Sequence, residues 1–227
     1  MDFFIAGTDT GVGKTAVTAA LLAGLRTCGT DAVAMKPVQT GAVRGRSPDL
    51  DFCAGTAGWK FSRKELGDLC PYRFPVPASP HLAARLAGDR ISAQKILAAF
   101  RNLRSRHDAI LVEGAGGVFV PLRDEFSQLD LIRRMGLPVI VVCRAGLGTL
   151  NHTLLTAEAL LRRNIEVAAF VLSESSWRNS IIEKDNAQFL KTKLMPTPVC
   201  VFPRVRKGDF ARRGIQLLDA ITESSSL

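Results

Sequence analysis

The 227-residue chain is short of residues that several function classes need. Its three histidines are too scattered to form a zinc site or to serve a serine or cysteine nucleophile as its base. The five cysteines (Cys28, Cys53, Cys70, Cys143, Cys200) are odd in number and contain no C-x-x-C pair. They read as reduced, partly buried thiols, which excludes a disulfide framework. Aromatic residues make up 7% of the chain, with one tyrosine and two tryptophans, so a surface for stacking on bases has little to be built from. There is no charged-then-apolar leader and no apolar run near the roughly 18 residues of a membrane span, so the expected setting is the cytoplasm, with no membrane partner. No repeat, linker or low-complexity tract interrupts the chain apart from Ser224-Ser225-Ser226, and the length suits one α/β domain over residues 1–227.

The net charge of +9 is compatible with nucleic acid, but equally with a site built for phosphates and carboxylates. Basic residues are scattered except for Arg204, Arg206, Lys207, Arg212 and Arg213. That distribution favours the small-anion reading, with no nucleic acid.

The most informative stretch is Gly7-Thr8-Asp9-Thr10-Gly11-Val12-Gly13-Lys14-Thr15. It follows the apolar run Phe3 to Ala6 and opens into a segment with the spacing of a buried helix, Ala16 to Leu25. A strand, a glycine-rich turn and a helix in that order aim backbone N–H groups and a helix dipole at one anion. Lys14 adds a charge for terminal phosphates, and the Thr15 hydroxyl can hold Mg²⁺. The general pattern G-x-x-x-x-G-K-[ST] is missed by one residue, because Thr8 stands where the first glycine belongs and Gly7 comes one place early.

Asp31 to Val38 reads as a second buried strand that delivers Lys36 to the sheet edge where ligands bind, followed by Gln39-Thr40-Gly41. Either Asp49 or Asp51 can cap a short helix and hold a metal. Pro71, Pro75, Pro77 and Pro80 are expected to exclude regular structure up to Ser79, where a helix begins. Ile91 to Leu103 is an amphipathic helix. The strand Asp108 to Val112 ends in Glu113-Gly114-Ala115-Gly116-Gly117, a carboxylate at the ligand edge with glycines that let backbone approach it. A helix is expected near Ser127 to Met135 and a strand over Pro138 to Cys143. A turn at Gly146 and Gly148 leads into a helix carrying Asn151, followed by strands Glu166 to Leu172 and Pro198 to Phe202 with a helix between them. The polar Ser173-Glu174-Ser175-Ser176 follows the first of these strands, and Pro203-Arg204-Val205 exits the last. The alternation predicts a P-loop NTPase-like, doubly wound, mainly parallel sheet of about seven strands with helices on both faces. The loop, Thr15, Glu113 and an aspartate near 49 describe a Mg-nucleotide site, with Lys36 and Thr40 beside it for a second, anionic reactant: phosphoryl transfer.

Five motifs carry a family resemblance: Gly7 to Thr15, Lys36-Pro37-Val38-Gln39-Thr40-Gly41, Pro77-Ala78-Ser79-Pro80-His81, Glu113 to Gly117, and Gly146-Leu147-Gly148-Thr149-Leu150-Asn151-His152. In order and across nearly the whole chain, they resemble the dethiobiotin synthetases. The resemblance implies a homodimeric, ATP- and Mg²⁺-dependent ligase that joins CO₂ (or bicarbonate) to 7,8-diaminononanoate (7,8-diaminopelargonate), closing the cyclic urea of dethiobiotin through a carbamate and its mixed anhydride with phosphate. It implies catalytic roles for Lys36, Lys14 and Thr10, and metal-holding roles for Thr15, Asp49 and Glu113. Gly11, Val12, Gly13, Lys14, Thr15 and Ala16 would hold the nucleotide phosphates, joined by Gly114, Ala115 and Gly116. Ser173, Pro203, Arg204 and Val205 would face the base, although Ser173 stands where the family usually presents asparagine. Thr40, Gly116, Gly117, Leu147 and Asn151 would meet the diamine, the last two from the neighbouring subunit. Rival readings are the amidating ligases of cobyrinic acid, for which the length leaves no glutamine-hydrolysing domain, and the dimeric switch ATPases of chromosome partition and septum placement. The switch ATPases carry a lysine in the loop where this chain has Asp9.

Overall fold

A computed structural model describes residues 1–174, 180–206 and 208–223; Ser175, Ser176, Lys207 and Ser224 to Ser226 lie outside the described residues. In chain order, β1 (Asp2–Gly7) leads through the phosphate loop into α1 (Lys14–Thr27), then β2 (Ala32–Met35), β3 (Val38–Thr40), α2 (Pro48–Ala57), α3 (Leu66–Leu69), β4 (Tyr72–Phe74), α4 (Pro80–Leu86) and α5 (Ala93–Arg104). The second half runs β5 (Ala109–Gly117), β6 (Pro121–Arg123), β7 (Phe126–Ser127), α6 (Gln128–Met135), β8 (Val139–Arg144), α7 (Thr149–Leu161), β9 (Val167–Ser173), α8 (Ile181–Lys193), β10 (Val199–Phe202) and α9 (Phe210–Glu223).

The continuous apolar runs form one parallel sheet in the order β10-β9-β8-β1-β5-β2. Such runs suit strands covered on both faces, and Phe4, Ile5, Ile110, Leu111, Val112, Ile140 and Val141 are fully buried. The sheet has six strands among the described residues, which corrects the expected seven. All strands run the same way, so β1, β5 and β2 bring the phosphate loop, Glu113 and Lys36 out at one edge.

Two expectations need correction. The strand read as Asp31 to Val38 is two strands, because Pro37 has no N–H for the ladder and the Lys36 amide donates to Leu69 O at 2.7 Å instead of to the sheet. The chain then turns, and β3 pairs with β4 in a separate two-stranded parallel sheet, Val38 against Tyr72 and Thr40 against Phe74. The prolines at 71 and 75 flank β4 without entering it, so regular structure does occur in the proline-rich stretch.

The cap of α2 is also different from either aspartate. Ser47 Oγ accepts from Leu50 N–H, with Pro48 at the first helical position, which leaves Asp49 free to point elsewhere. Sequence reading did not anticipate α9. Its apolar Leu217, Leu218 and Ile221 are buried, and it crosses α1 at glycine on glycine: a Cβ on Gly24 would fall 2.8 Å from Gly214 C, and one on Gly214 would collide with Ala20 O. No helix among the described residues is long and apolar enough to cross a membrane.

Candidate active site

The phosphate loop is held by its own backbone. Gly11 (φ 72°) and Gly13 (φ 100°) adopt left-handed conformations, and Gly13 forms the N-cap of α1. Lys14 folds back over the loop and donates to Asp9 O at 2.8 Å. This explains the displaced first glycine: a Cβ at position 7 would fall 2.7 Å from Lys14 Nζ and 2.9 Å from Asp9 O, so residue 7, and not residue 8, must be bare. The Asp9 carboxylate accepts from Thr10 N–H at 2.7 Å and lies 3.2 Å from Arg144 Nη2, which ties the loop to the end of β8.

Next to the loop, Lys36, Asp49, Glu113 and Thr15 form one cluster. Lys36 Nζ lies 2.6 Å from Asp49 Oδ2 and 2.7 Å from Glu113 Oε1, and donates to Gly114 O at 3.2 Å. Thr15 Oγ1 donates to the same Glu113 oxygen at 2.9 Å. Glu113 is 3% exposed and Lys36 5%, so their charges persist only through each other. Burial works against the Lys36 ammonium, but Glu113 and Asp49 outweigh it and hold the group above the ordinary lysine range. Lys14 behaves oppositely. Burial first, and then the Lys36 charge, push it down to about 8 despite Glu113, Asp49 and Asp9. Asp51 pairs with Arg46 instead, through bonds of 2.9 and 2.7 Å, so of the two aspartates only Asp49 joins the cluster. Cys53 lies under it with its thiol pushed up by burial and then by Glu113 and Asp49, which keeps it protonated and inert.

A cavity of about 700 Å³ opens over the cluster. Of the residues singled out in the sequence, Thr10, Gly11, Gly13, Lys14, Thr15, Lys36, Thr40, Asp49, Glu113, Ala115 and Gly116 line it. Val12 is buried beneath the loop, Ala16 packs against the core, and Gly117 backs onto Thr8 O, where a Cβ would fall at 3.2 Å. Sequence reading gave no role at the site to three other stretches of lining: Val38 and Gln39, Pro77 to Pro80, and Val120. The Pro77 to Pro80 motif was the available signal. Gln39 Oε1 accepts from Ser47 Oγ at 2.6 Å and so links β3 to the α2 cap.

The remaining predicted residues stand apart from the cavity. Ser173, at the end of β9, packs beneath the loop, where a Cβ on Gly13 would fall 3.0 Å from its Cβ. Pro203, Arg204 and Val205 follow β10, with Arg204 exposed. Leu147, at 84% exposure, and Asn151 open α7 and face outward.

Thr15, Asp49 and Glu113 offer a hydroxyl and two carboxylates on one side of the cavity. Among the described residues no three His, Cys, Asp or Glu side chains gather as a metal site of their own. A donor set of this size fits Mg²⁺ that arrives with phosphate oxygens and keeps water, the usual mode for a nucleotide-bound ion.

Comparison with known proteins agrees with this geometry. The MinC:MinD cell division protein complex of Aquifex aeolicus aligns with a TM-score of 0.58 at 16% identity, over 99% of this chain and 94% of that one, a likeness of fold. A family model described as an AAA domain matches residues 1–208. The ATP-dependent dethiobiotin synthetase BioD of Anaeromyxobacter sp. (strain K) is 48% identical over 214 residues, 94% of each chain. That of Anaeromyxobacter sp. (strain Fw109-5) is 49% identical over 176 residues, 76% of each. With phosphate loop, paired carboxylates and sheet edge arranged as described, the chain belongs to the ATP-dependent dethiobiotin synthetases, ligases of biotin synthesis.

Proposed function

We propose that the cavity joins CO₂ to 7,8-diaminononanoate at the expense of ATP and closes the cyclic urea of dethiobiotin. The observation that carries this reading is the Lys36 ammonium held between Asp49 and Glu113, at the mouth of a phosphate loop and facing a second lysine, Lys14. One diamine nitrogen adds to CO₂ and loses a proton to give a carbamate. A carbamate oxygen attacks the γ-phosphorus and ADP leaves; the second amine then attacks the carbonyl carbon, loses a proton and expels phosphate.

Each step moves negative charge, and this chain's residues are suited to meet it. Gly11, Val12, Gly13 and Ala16 hold the α- and β-phosphates by main-chain N–H groups and the start of α1. Gly114 and Ala115 close the flank beyond them. Thr15, Asp49 and Glu113 would hold Mg²⁺, which would supply charge neutralisation for the phosphates. Lys14 and Lys36 face the carbamate and the oxygens that transfer, with Thr10 and Thr40 as hydrogen-bonding partners. Gly116 and Gly117 receive the diamine. Ser173 and Pro203 to Val205 receive the base.

Leu147 and Asn151 do not line the cavity of their own chain, and both are exposed, as is Leu155 one turn beyond Asn151 on α7. A homodimer in which this face meets the partner, and its α7 N-terminus takes the diamine carboxylate, accounts for both facts. The protein works in the cytoplasm, without nucleic acid or membrane.

The test is the requirement for substrates: ADP should form only when diamine and bicarbonate are both present, with dethiobiotin as the product. Diamine-independent ATP turnover stimulated by DNA or lipid would overturn the reading in favour of a switch ATPase.

A further inference from the structure

The glycine-rich end of β5 follows a constrained path. Gly116 has φ 69°, and a Cβ there would fall 2.7 Å from Val120 Cγ2 and 3.3 Å from Thr10 Oγ1. One side chain fixes this path from behind. Gln128, the first residue of α6, is 1% exposed, and its Oε1 accepts from Ala115 N–H at 2.7 Å. Gly114 lies flat against the same amide, where a Cβ would fall 2.7 Å from Cδ and 2.9 Å from Oε1. Main-chain bonds from the same helix end fix the other side of the loop: Gln128 N–H donates to Val120 O at 2.9 Å, and Leu129 N–H to Val118 O at 2.8 Å. A reciprocal capping box between Ser127 and Asp130 anchors that end, and Arg163 Nη1 reaches Asp130 at 3.1 Å. Residues 114 to 120, which supply Ala115, Gly116 and Val120 to the cavity wall, are thus wrapped around one glutamine.

The other half of the amide separates positioning from packing. Ala115 N–H fixes which atom is oxygen, and Gln128 Nε2 is then buried with no hydrogen-bond partner among the described residues. A buried donor without a partner is costly, and an apolar side chain of the same length would avoid that cost. What such a side chain could not supply is the acceptor for Ala115.

We propose that Gln128 is a positioning residue: it touches no reactant, but sets the wall on which the diamine lies. This rests on the assignment of Gly116 and Gly117 to the diamine made above. In Gln128→Met, which keeps the length and loses the acceptor, the KM for 7,8-diaminononanoate should rise about tenfold or more, about 1.4 kcal/mol. The Kd for Mg-ADP, read by calorimetry, should rise by a clearly smaller factor, about threefold or less, because Gly114 and Ala115 only flank the phosphates that the loop and the start of α1 hold. Gln128→Glu, which restores an acceptor, should recover most of the diamine KM. If Gln128→Met does not fold, the same split is read on Gln128→Asn, which withdraws the amide by one methylene.

An unchanged diamine KM, an equal loss for diamine and nucleotide, or a Glu variant no better than Met would overturn the proposal. A wild-type protein that forms ADP without the diamine would instead overturn the function, and this inference with it.

Discussion

The sheet edge is divided into two unlike regions. Around β1, β5 and β2, Lys36 and Glu113 are buried and Asp49 half-buried, and the Lys36 ammonium lies within 3 Å of both carboxylates. Around β8, β9 and β10, the residues assigned to the carboxylate of the diamine and to the base are spread out, with Leu147, Asn151 and Arg204 exposed and Ser173, Pro203 and Val205 half-buried. The contrast teaches a division of labour. Phosphoryl transfer gains from charges fixed in advance, where no reorganisation is needed at the reacting centre. Under the proposed function, recognition of the ends of the substrates would be left to surfaces that a partner subunit completes.

Removing the centre of the fixed region gives the sharpest test of that contrast. Lys36→Gln should fold, as judged by an unchanged circular dichroism spectrum, and lose product formation by more than about 10³-fold, ~4 kcal/mol of transition-state stabilisation. Near-normal turnover would remove Lys36 from the chemistry.

A smaller effect comes from Lys14, whose pKa of about 8 lies below the ordinary 10.5 because of burial and the Lys36 charge. Between these values the unfolded chain binds more protons than the folded one, so the penalty for burying Lys14 is relieved as pH rises from 8 to 10.5. Lys14→Met carries no such penalty. Its stability advantage over wild type, measured by urea unfolding, should therefore shrink by ~3 kcal/mol across this window. A constant gap would show that the ammonium is not withdrawn from water, and the contrast between the regions would fail.

The open region is tested by mixing subunits. Asn151→Ala should raise the diamine KM about tenfold, the scale of one lost hydrogen bond to a charged group. Mixed in equal amounts with Lys36→Gln, it should give roughly a quarter of wild-type activity if each site takes Asn151 from the other subunit, against roughly a twentieth if each chain completes its own site.

The legibility of the sequence follows the same division. The phosphate loop, the carboxylate Glu113 on the strand beside it and the helices around them could be read directly, because glycine, charge and apolar periodicity act locally, although β5 continues past Glu113 to Gly117 instead of ending at the carboxylate. The split between β2 and β3 was not legible, since an apolar run either side of Lys36-Pro37 looks continuous until Leu69 claims the Lys36 amide. That Asp49 meets Lys36 while Asp51 meets Arg46 was not legible either, because both lie in the first turn of α2 and only the tertiary fold separates their partners. Gln128 gave no signal, because its importance comes from a loop thirteen residues upstream that folds back on it. The charge of Arg212 and Arg213 drew attention from the apolar stripe of α9, which reaches its partner only through tertiary packing.

That helix has a consequence for how the protein tolerates change. The contact of Gly214 with Ala20 and Gly24 leaves no room for even one methyl group, and it lies on the back of the helix whose front end closes the phosphate loop. Trimming or repacking α9 would therefore loosen the support of the phosphate loop, although nothing in α9 borders the cavity. A variant library screened for altered nucleotide use would be expected to return hits there, more than 190 positions from the loop they affect.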